Sequence, residues 1–337
     1  MTICRRAAAV AIAVLALGAP GSAQDTTPRE FGREMAKDHV LGFAALPSGE
    51  WLVSSSGLYR SVDRGKAWSR VGPEIDLGGA IHVAADGVYA VGTVLYQPDG
   101  KTRMAEGEPV VGLYRSQDAG ATWTAVRTGK QAVWNPTAVL RTPRGALVTA
   151  HGSLGVTGQA GIMRSRDDGK TWVPAGSHGL VFGFEAAADG TLFGGSDSGV
   201  LVSVDDGASW TASKPDDAMI SVRSRGSLAL AGSLNGLYRS TDSGKTWTLS
   251  DPFKALVTLP VFLSPGKVAA VTQSMTTGEV KLLLSKDDGK SWTTAASQVP
   301  ALTVDGLFTD GTAIYLGTRR GLLRSADDGK TFATIFP

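Results

Sequence analysis

Apolar residues along this chain come in short runs of about four, broken every few positions by Gly, Asp, Ser or Pro. Beyond the first two dozen residues, no run keeps a 3.6-residue period over the length of a helix. The pattern predicts short β-strands joined by tight turns. Gly57-Leu58-Tyr59-Arg60, Gly112-Leu113-Tyr114-Arg115 and Gly236-Leu237-Tyr238-Arg239 each stand immediately before a polar turn. Further upstream of such turns lie β-rich runs such as Val88-Tyr89-Ala90-Val91 and Ala313-Ile314-Tyr315-Leu316.

One turn signature, Ser-x-Asp-x-Gly-x-x-aromatic, recurs seven times. Its aspartates are Asp63, Asp118, Asp167, Asp205, Asp242, Asp287 and Asp327, and its aromatic position holds Trp six times and Phe332 once. The serines are 37 to 55 residues apart, the length of a four-stranded blade. The chain is therefore expected to be all-β, a seven-bladed β-propeller of four-stranded antiparallel blades with one such turn per blade. Blades are expected at about 39–74, 75–130, 131–176, 177–213, 214–251, 252–296 and 297–337. The repeat has a mechanical reading: the aspartate accepts N–H bonds of its own turn, the glycine supplies a positive φ, and the aromatic residue anchors the next strand.

These residues resemble the Asp-box, or BNR, repeat of sialidase-like propellers. In the form GLYRS-x-D-x-G-x-x-W they also resemble the assembly factors of photosystem II. The resemblance covers 39–337 and implies the fold. It does not select a function, because such repeats occur in enzymes, receptors and assembly factors alike.

Composition narrows the setting. Residues 1–23 carry Arg5 and Arg6, an apolar run from Ala7 to Leu17 and a small-residue end at Gly21-Ser22-Ala23, the order of a secretory signal peptide. An exported protein, periplasmic or extracellular, soluble and monomeric, is expected, with 24–38 as an N-terminal arm. The single cysteine, Cys4, lies in the signal. The mature chain thus offers neither a disulfide nor a cysteine metal site. Loss of Arg5 and Arg6 balances the 33 basic residues against the 31 acidic ones. No basic stripe points to nucleic acid.

Let the strands of a blade be A to D from the centre outward. The A–B and C–D turns then share one face, and the B–C and D–A loops the other. The repeat turn is the C–D turn. Unequal spacing predicts B–C excursions at about 93–111 in blade 2, 151–160 in blade 3 and 273–279 in blade 6. Insertions on one face of a repeat array often carry binding, so Tyr96, Arg103, Glu106, Glu108, Trp134 and His151 are the candidate binding residues. The same insertions are also compatible with tolerated surface loops. At equivalent positions of the inner strands, His82 and Glu185, with Asp305 one step away, are candidate channel residues, either as a polar site or as groups solvated by channel water. Arg60, Arg115, Arg164, Arg239 and Arg324 precede the turn serine in five blades. They form either a basic ring for an acidic partner or a set of guanidinium groups packed on neighbouring turns.

Catalytic motifs are sparse. Sialidase chemistry would need a Tyr nucleophile, an arginine trio and an Arg-Ile-Pro segment. That segment does not occur, and of six tyrosines only Tyr96 is unassigned to a repeat position. Glu106, Glu108 and Glu185 are available to a two-carboxylate hydrolase, but no spacing selects a pair. The four histidines show no metal-ligand spacing, and Gly-x-Ser-x-Gly does not occur. Neither a metal nor a cofactor is expected. The sequence points to a non-catalytic scaffold that binds a protein or envelope partner. A carbohydrate-active, sialidase-like glycoside hydrolase is the alternative.

Overall fold

The middle of each blade is a strand buried on both faces. A strand pressed between two neighbouring sheets has no solvent side, so it reads as an uninterrupted run of small and β-branched residues. Leu192–Ser196, Leu228–Ser233 and Ile314–Thr318 are strands of this kind, buried at nearly every position. Rim strands such as Ser69–Val71, Thr211–Ser213 and Thr248–Ser250 read as polar because water reaches them.

The computed structural model describes residues 40–55, 57–72, 75–76, 81–92, 94–95, 104–105, 108–130, 136–152, 160–213, 215–250, 256–274, 277–295, 299 and 303–336. Among these, the strands form seven sheets built around four antiparallel strands taken in chain order, and no helix is present. The chain is a seven-bladed β-propeller. The blades occupy 42–71, 81–130, 136–176, 181–213, 219–250, 256–294 and 304–336, each within the interval expected from the repeat. Among the described residues no helix is long and apolar enough to cross a membrane.

Blades 1 and 7 each own all four of their strands, and the ring closes by side-chain packing between them. Phe43 stacks on Tyr315 at 4.4 Å, and Trp51 meets Tyr315 edge-on at 5.4 Å. On the outer side, Tyr59 and Trp68 place their edges against Phe336 at 4.9 and 5.3 Å. The Trp68 indole donates to the Ile335 carbonyl at 2.7 Å, and the Val40 N–H donates to Thr318 O at 3.1 Å.

The expected excursions are shorter than their sequence boundaries suggest, because backbone groups near the loop ends find ladder partners. In blade 2, strand C starts at Glu108 and runs to Ser116. Glu108 and Pro109 pair with Ala105 and Met104. A second ladder joins Ile75–Asp76 to Val94–Leu95. His151 is the last residue of strand B in blade 3, opposite Pro136 and Gly161. In blade 6, Gln273 and Ser274 stay in strand B, and the Gly278 N–H closes the turn onto Ser274 O at 2.9 Å.

Candidate functional site

The seven repeat turns consume their own polar groups. In each, the Ser hydroxyl donates to Asp Oδ1 at 2.7–2.8 Å and accepts the Gly N–H at 2.7–2.9 Å. Oδ1 also accepts the N–H four residues on, at 2.8–2.9 Å. In six turns a Thr or Ser hydroxyl at that position donates to Oδ2. That hydroxyl, the N–H beside it and the turn serine hold Asp118, Asp167, Asp242 and Asp327 down at about 2.

Two features of the turn went beyond the sequence pattern. The residue before each glycine, Arg64, Ala119, Asp168, Asp206, Ser243, Asp288 or Asp328, is itself left-handed, with φ of 54° to 63°. The glycine is needed for close approach as well as for its φ. A Cβ on Gly120, Gly207 or Gly244 would stand 2.5, 2.7 or 2.5 Å from Leu52, Val148 or Phe193 of the preceding blade.

That left-handed residue is where the blades are clasped together. Arg60 donates to Ala119 O at 2.8 Å, Arg164 to Asp206 O at 2.7 Å and Arg239 to Asp288 O at 2.9 Å, each reaching from one blade into the turn of the next. Arg164 also pairs with the Asp206 carboxylate at 2.6 Å. Where blades 4 and 6 have Val202 and Leu284, other groups take over: Ser243 donates to Asp189 at 3.3 Å, and Lys267 pairs with Asp328 at 2.5 Å. Arg115 instead pairs with Asp86 at 2.8 Å, and the Arg324 Nε donates to the Tyr315 hydroxyl at 3.3 Å. Arg60, Arg164 and Arg239 therefore bridge blades, whereas Arg115 and Arg324 bond within their own. The exposed basic groups of that face include the lysines one residue past the glycine, Lys66, Lys170, Lys245, Lys290 and Lys330, together with Arg64, Arg144, Arg166 and Lys286.

Of the candidate binding residues, Tyr96, Arg103, Glu106 and Trp134 lie outside the described residues. Glu108 is placed by its backbone in strand C of blade 2, and His151 at the half-buried end of strand B in blade 3. Both lie towards the B–C face, opposite the repeat turns.

The candidate channel residues divide. His82 and Glu185 line one cavity of about 560 Å³ formed by the A strands and A–B turns of blades 2, 3 and 4. Asp305, in blade 7, is not part of that lining. Burial pushes the His82 imidazole down, opposed by its bond to the Arg141 backbone and by the neighbouring Asp86 charge. Burial raises Glu185, while Arg223 and two bonds from Ser224 oppose the shift.

The sequence pattern missed the other two charged members, Asp86 and Arg141. Asp86 Oδ2 accepts from the Tyr89 hydroxyl at 3.0 Å, Arg115 at 2.8 Å and Arg141 at 3.1 Å, and Arg141 reaches on to Asp168 at 2.7 Å. Burial and the neighbouring Asp86 charge push Tyr89 up to about 12, so it remains a donor. The available signal was an arginine closing the apolar run Ala138-Val139-Leu140 and an aspartate inside a neighbouring A–B turn. Among the described residues no group of three or more His, Cys, Asp or Glu is placed to hold a metal ion.

No family model matches the chain, and no curated protein matches it by sequence. Solved structures do match. A xyloglucanase of glycoside hydrolase family 74 from Xanthomonas campestris superposes with a TM-score of 0.66 at 18% identity, covering 90% of this chain and 54% of its own. The chain thus spans about half the length of that enzyme. YCF48, in a structure titled as bound to D1 peptide, gives 0.62 at 16% identity, covering 92% of this chain and 99% of its own. Virginiamycin B lyase from Staphylococcus aureus gives 0.61 at 13% identity, covering 85% of this chain and 94% of its own. At these identities the likeness shows the propeller fold alone.

Proposed function

We propose that the chain is an exported, non-catalytic propeller that binds a protein or envelope partner through the face opposite the repeat turns. On this reading residues 1–23 are a signal peptide, the mature chain works outside the cytoplasm, and the repeat turns are structural Asp boxes. The observation that carries it is the β-structure built onto blade 2 beyond what a blade needs. Strand C is prolonged to Glu108 and paired with Met104–Ala105, next to the ladder of Ile75–Asp76 with Val94–Leu95. Two added ladders, one ending at Leu95 and the other opening at Met104, give that face a fixed edge, as binding requires. The similarity in fold to YCF48, seen bound to D1 peptide, supports a protein partner.

The hydrolase alternative needs two carboxylates directed at one bond. Asp86 and Glu185 share a cavity, but three donors hold Asp86 Oδ2 and Ser224 holds Glu185 Oε1, so both carboxylates serve to join strands and blades. The test is affinity capture from envelope extract with the wild type and with a variant whose 96–103 segment is replaced by a short turn. Loss of the captured partner at an unchanged melting curve is expected. A panel of glycoside substrates on the same protein should give no turnover.

A further inference from the structure

The chain holds two asparagines, Asn135 and Asn235. Asn135 is followed by Pro136, which has no N–H, and Asn235 by Gly236, which has no side chain to shield its backbone nitrogen. Asn235 stands exposed in the B–C turn of blade 5, between strands Leu228–Ser233 and Leu237–Ser240. The turn is closed through Gly236 O, which accepts the Ser233 N–H at 2.9 Å and the Ser233 hydroxyl at 3.1 Å. The Asn235 N–H donates to the same hydroxyl oxygen at 3.0 Å, while the Gly236 N–H has no hydrogen-bond partner among the described residues.

The Asp-Gly pairs of the chain behave differently. In the repeat turns the N–H groups of Gly169, Gly207, Gly289 and Gly329 donate to the turn serine at 2.8–2.9 Å. Those of Gly190 and Gly311 donate to Ala187 O and Thr309 Oγ1 at 3.0 and 2.9 Å. A nitrogen held in this way is kept from the carboxyl carbon of the residue before it. Gly236 lacks that restraint, and the group before it is an amide.

The amide has a structural reason to be there. Asn235 Nδ2 donates to Asp217 Oδ1 at 2.8 Å and so fastens the turn to the D–A loop that enters blade 5. The same oxygen accepts the Ala218 N–H at 2.8 Å, and the Leu234 N–H donates to Ala218 O at 3.3 Å. An aspartate at 235 would set two carboxylates against each other, so this turn uses the reactive amide where the repeat turns use aspartate.

We propose that Asn235 is a site of spontaneous deamidation. The Gly236 nitrogen bonds to Asn235 Cγ, the Cγ–Nδ2 bond breaks, and the Gly236 proton leaves with Nδ2 as ammonia, closing a cyclic imide. Water then opens the imide at either carbonyl carbon, its hydroxyl going to that carbon and its proton to the nitrogen. Aspartate and isoaspartate result. An amide donor is thereby exchanged for a carboxylate that repels Asp217, on the face opposite the repeat turns. This chemistry is independent of whether a partner binds that face.

The test is peptide mass spectrometry of the full-length protein, held folded in warm, mildly alkaline buffer made with heavy-oxygen water, beside the same protein unfolded in urea. Asn235 of the folded protein is expected to react within about tenfold of the unfolded rate, because an exposed turn opens at little cost. It should take up heavy oxygen and give two separable products, the aspartate and isoaspartate peptides. The proposal is overturned if Asn235 stays intact in the folded protein while the unfolded protein converts, or if aspartate is the only product. It is also overturned if Asp168, Asp206, Asp288 and Asp328 isomerise in the folded protein as fast as Asn235 reacts. Asn235→Asp should melt about 1–2 °C below Asn235→Gln, and adding Asp217→Asn should remove the difference. Equal melting of the two single variants overturns the repulsion assigned to the product.

Discussion

If Arg60, Arg164 and Arg239 are clasps between blades, their loss should be read in stability, most of all at Arg164. Its side chain is 6% exposed and that of Asp206 is 10% exposed, with contacts of 2.6 Å to the carboxylate and 2.7 Å to the backbone carbonyl. Arg164→Met keeps most of the aliphatic stem but leaves a buried carboxylate and a carbonyl without their partner. Breaking such a pair from one side costs about 3–5 kcal/mol. In a domain of this size that lowers the melting temperature on the order of 10 °C.

Arg60 is the internal control. Its carboxylate partner, Glu50, is partly exposed at 3.1 Å, so Arg60→Met should cost only about 1 kcal/mol. Asp206→Asn preserves the left-handed turn and removes the stranded charge. Added to Arg164→Met, it should recover about 2 kcal/mol of the loss. Urea denaturation of the four proteins measures each value. A loss at Arg164 no greater than at Arg60, or a double variant no better than Arg164→Met, refutes the clasp.

Gly244→Ala should cost about 1–3 kcal/mol in the same assay, since the new Cβ meets Phe193 of the preceding blade at 2.5 Å and φ is 79°; an unchanged midpoint contradicts the packing role. Stability should also fall in acid. The turn carboxylates have folded values of about 2, below their ordinary 3.8, so their contribution is complete above about pH 4 and is lost as pH falls towards 2. Glu185 is shifted upward and has the opposite sign, one group against the set. A urea midpoint that stays level between pH 5 and pH 2 contradicts this account.

Blade number and blade limits were legible because each turn repeats bonds that act within eight residues, so spacing alone carries them. The clasps were only half legible. Arg60, Arg164 and Arg239 recur in phase, which marks them as part of the blade, but their acceptors Ala119, Asp206 and Asp288 are backbone carbonyls 59, 42 and 49 residues away, and a carbonyl has no sequence signature. His82 and Glu185 were found by their equal distance from the A–B glycine. Asp86 and Arg141 were not, because they occupy unlike positions in turns of unequal length and meet only when blades 2 and 3 pack. Ring closure was invisible for a similar reason: Phe43, Tyr315 and Phe336 look like ordinary strand residues until the two ends of the chain are adjacent.

The proposed partner face is tested most directly by a paired capture experiment on the full-length protein. One variant replaces 96–103 with a short turn. The other reverses charge at the exposed lysines Lys66, Lys170, Lys245, Lys290 and Lys330 on the opposite face. Both should melt as the wild type does. The account predicts that the partner retained from envelope extract by the wild type is retained by the lysine variant and lost from the loop variant. Retention by the loop variant together with loss from the lysine variant would place the partner on the repeat-turn face and contradict the account.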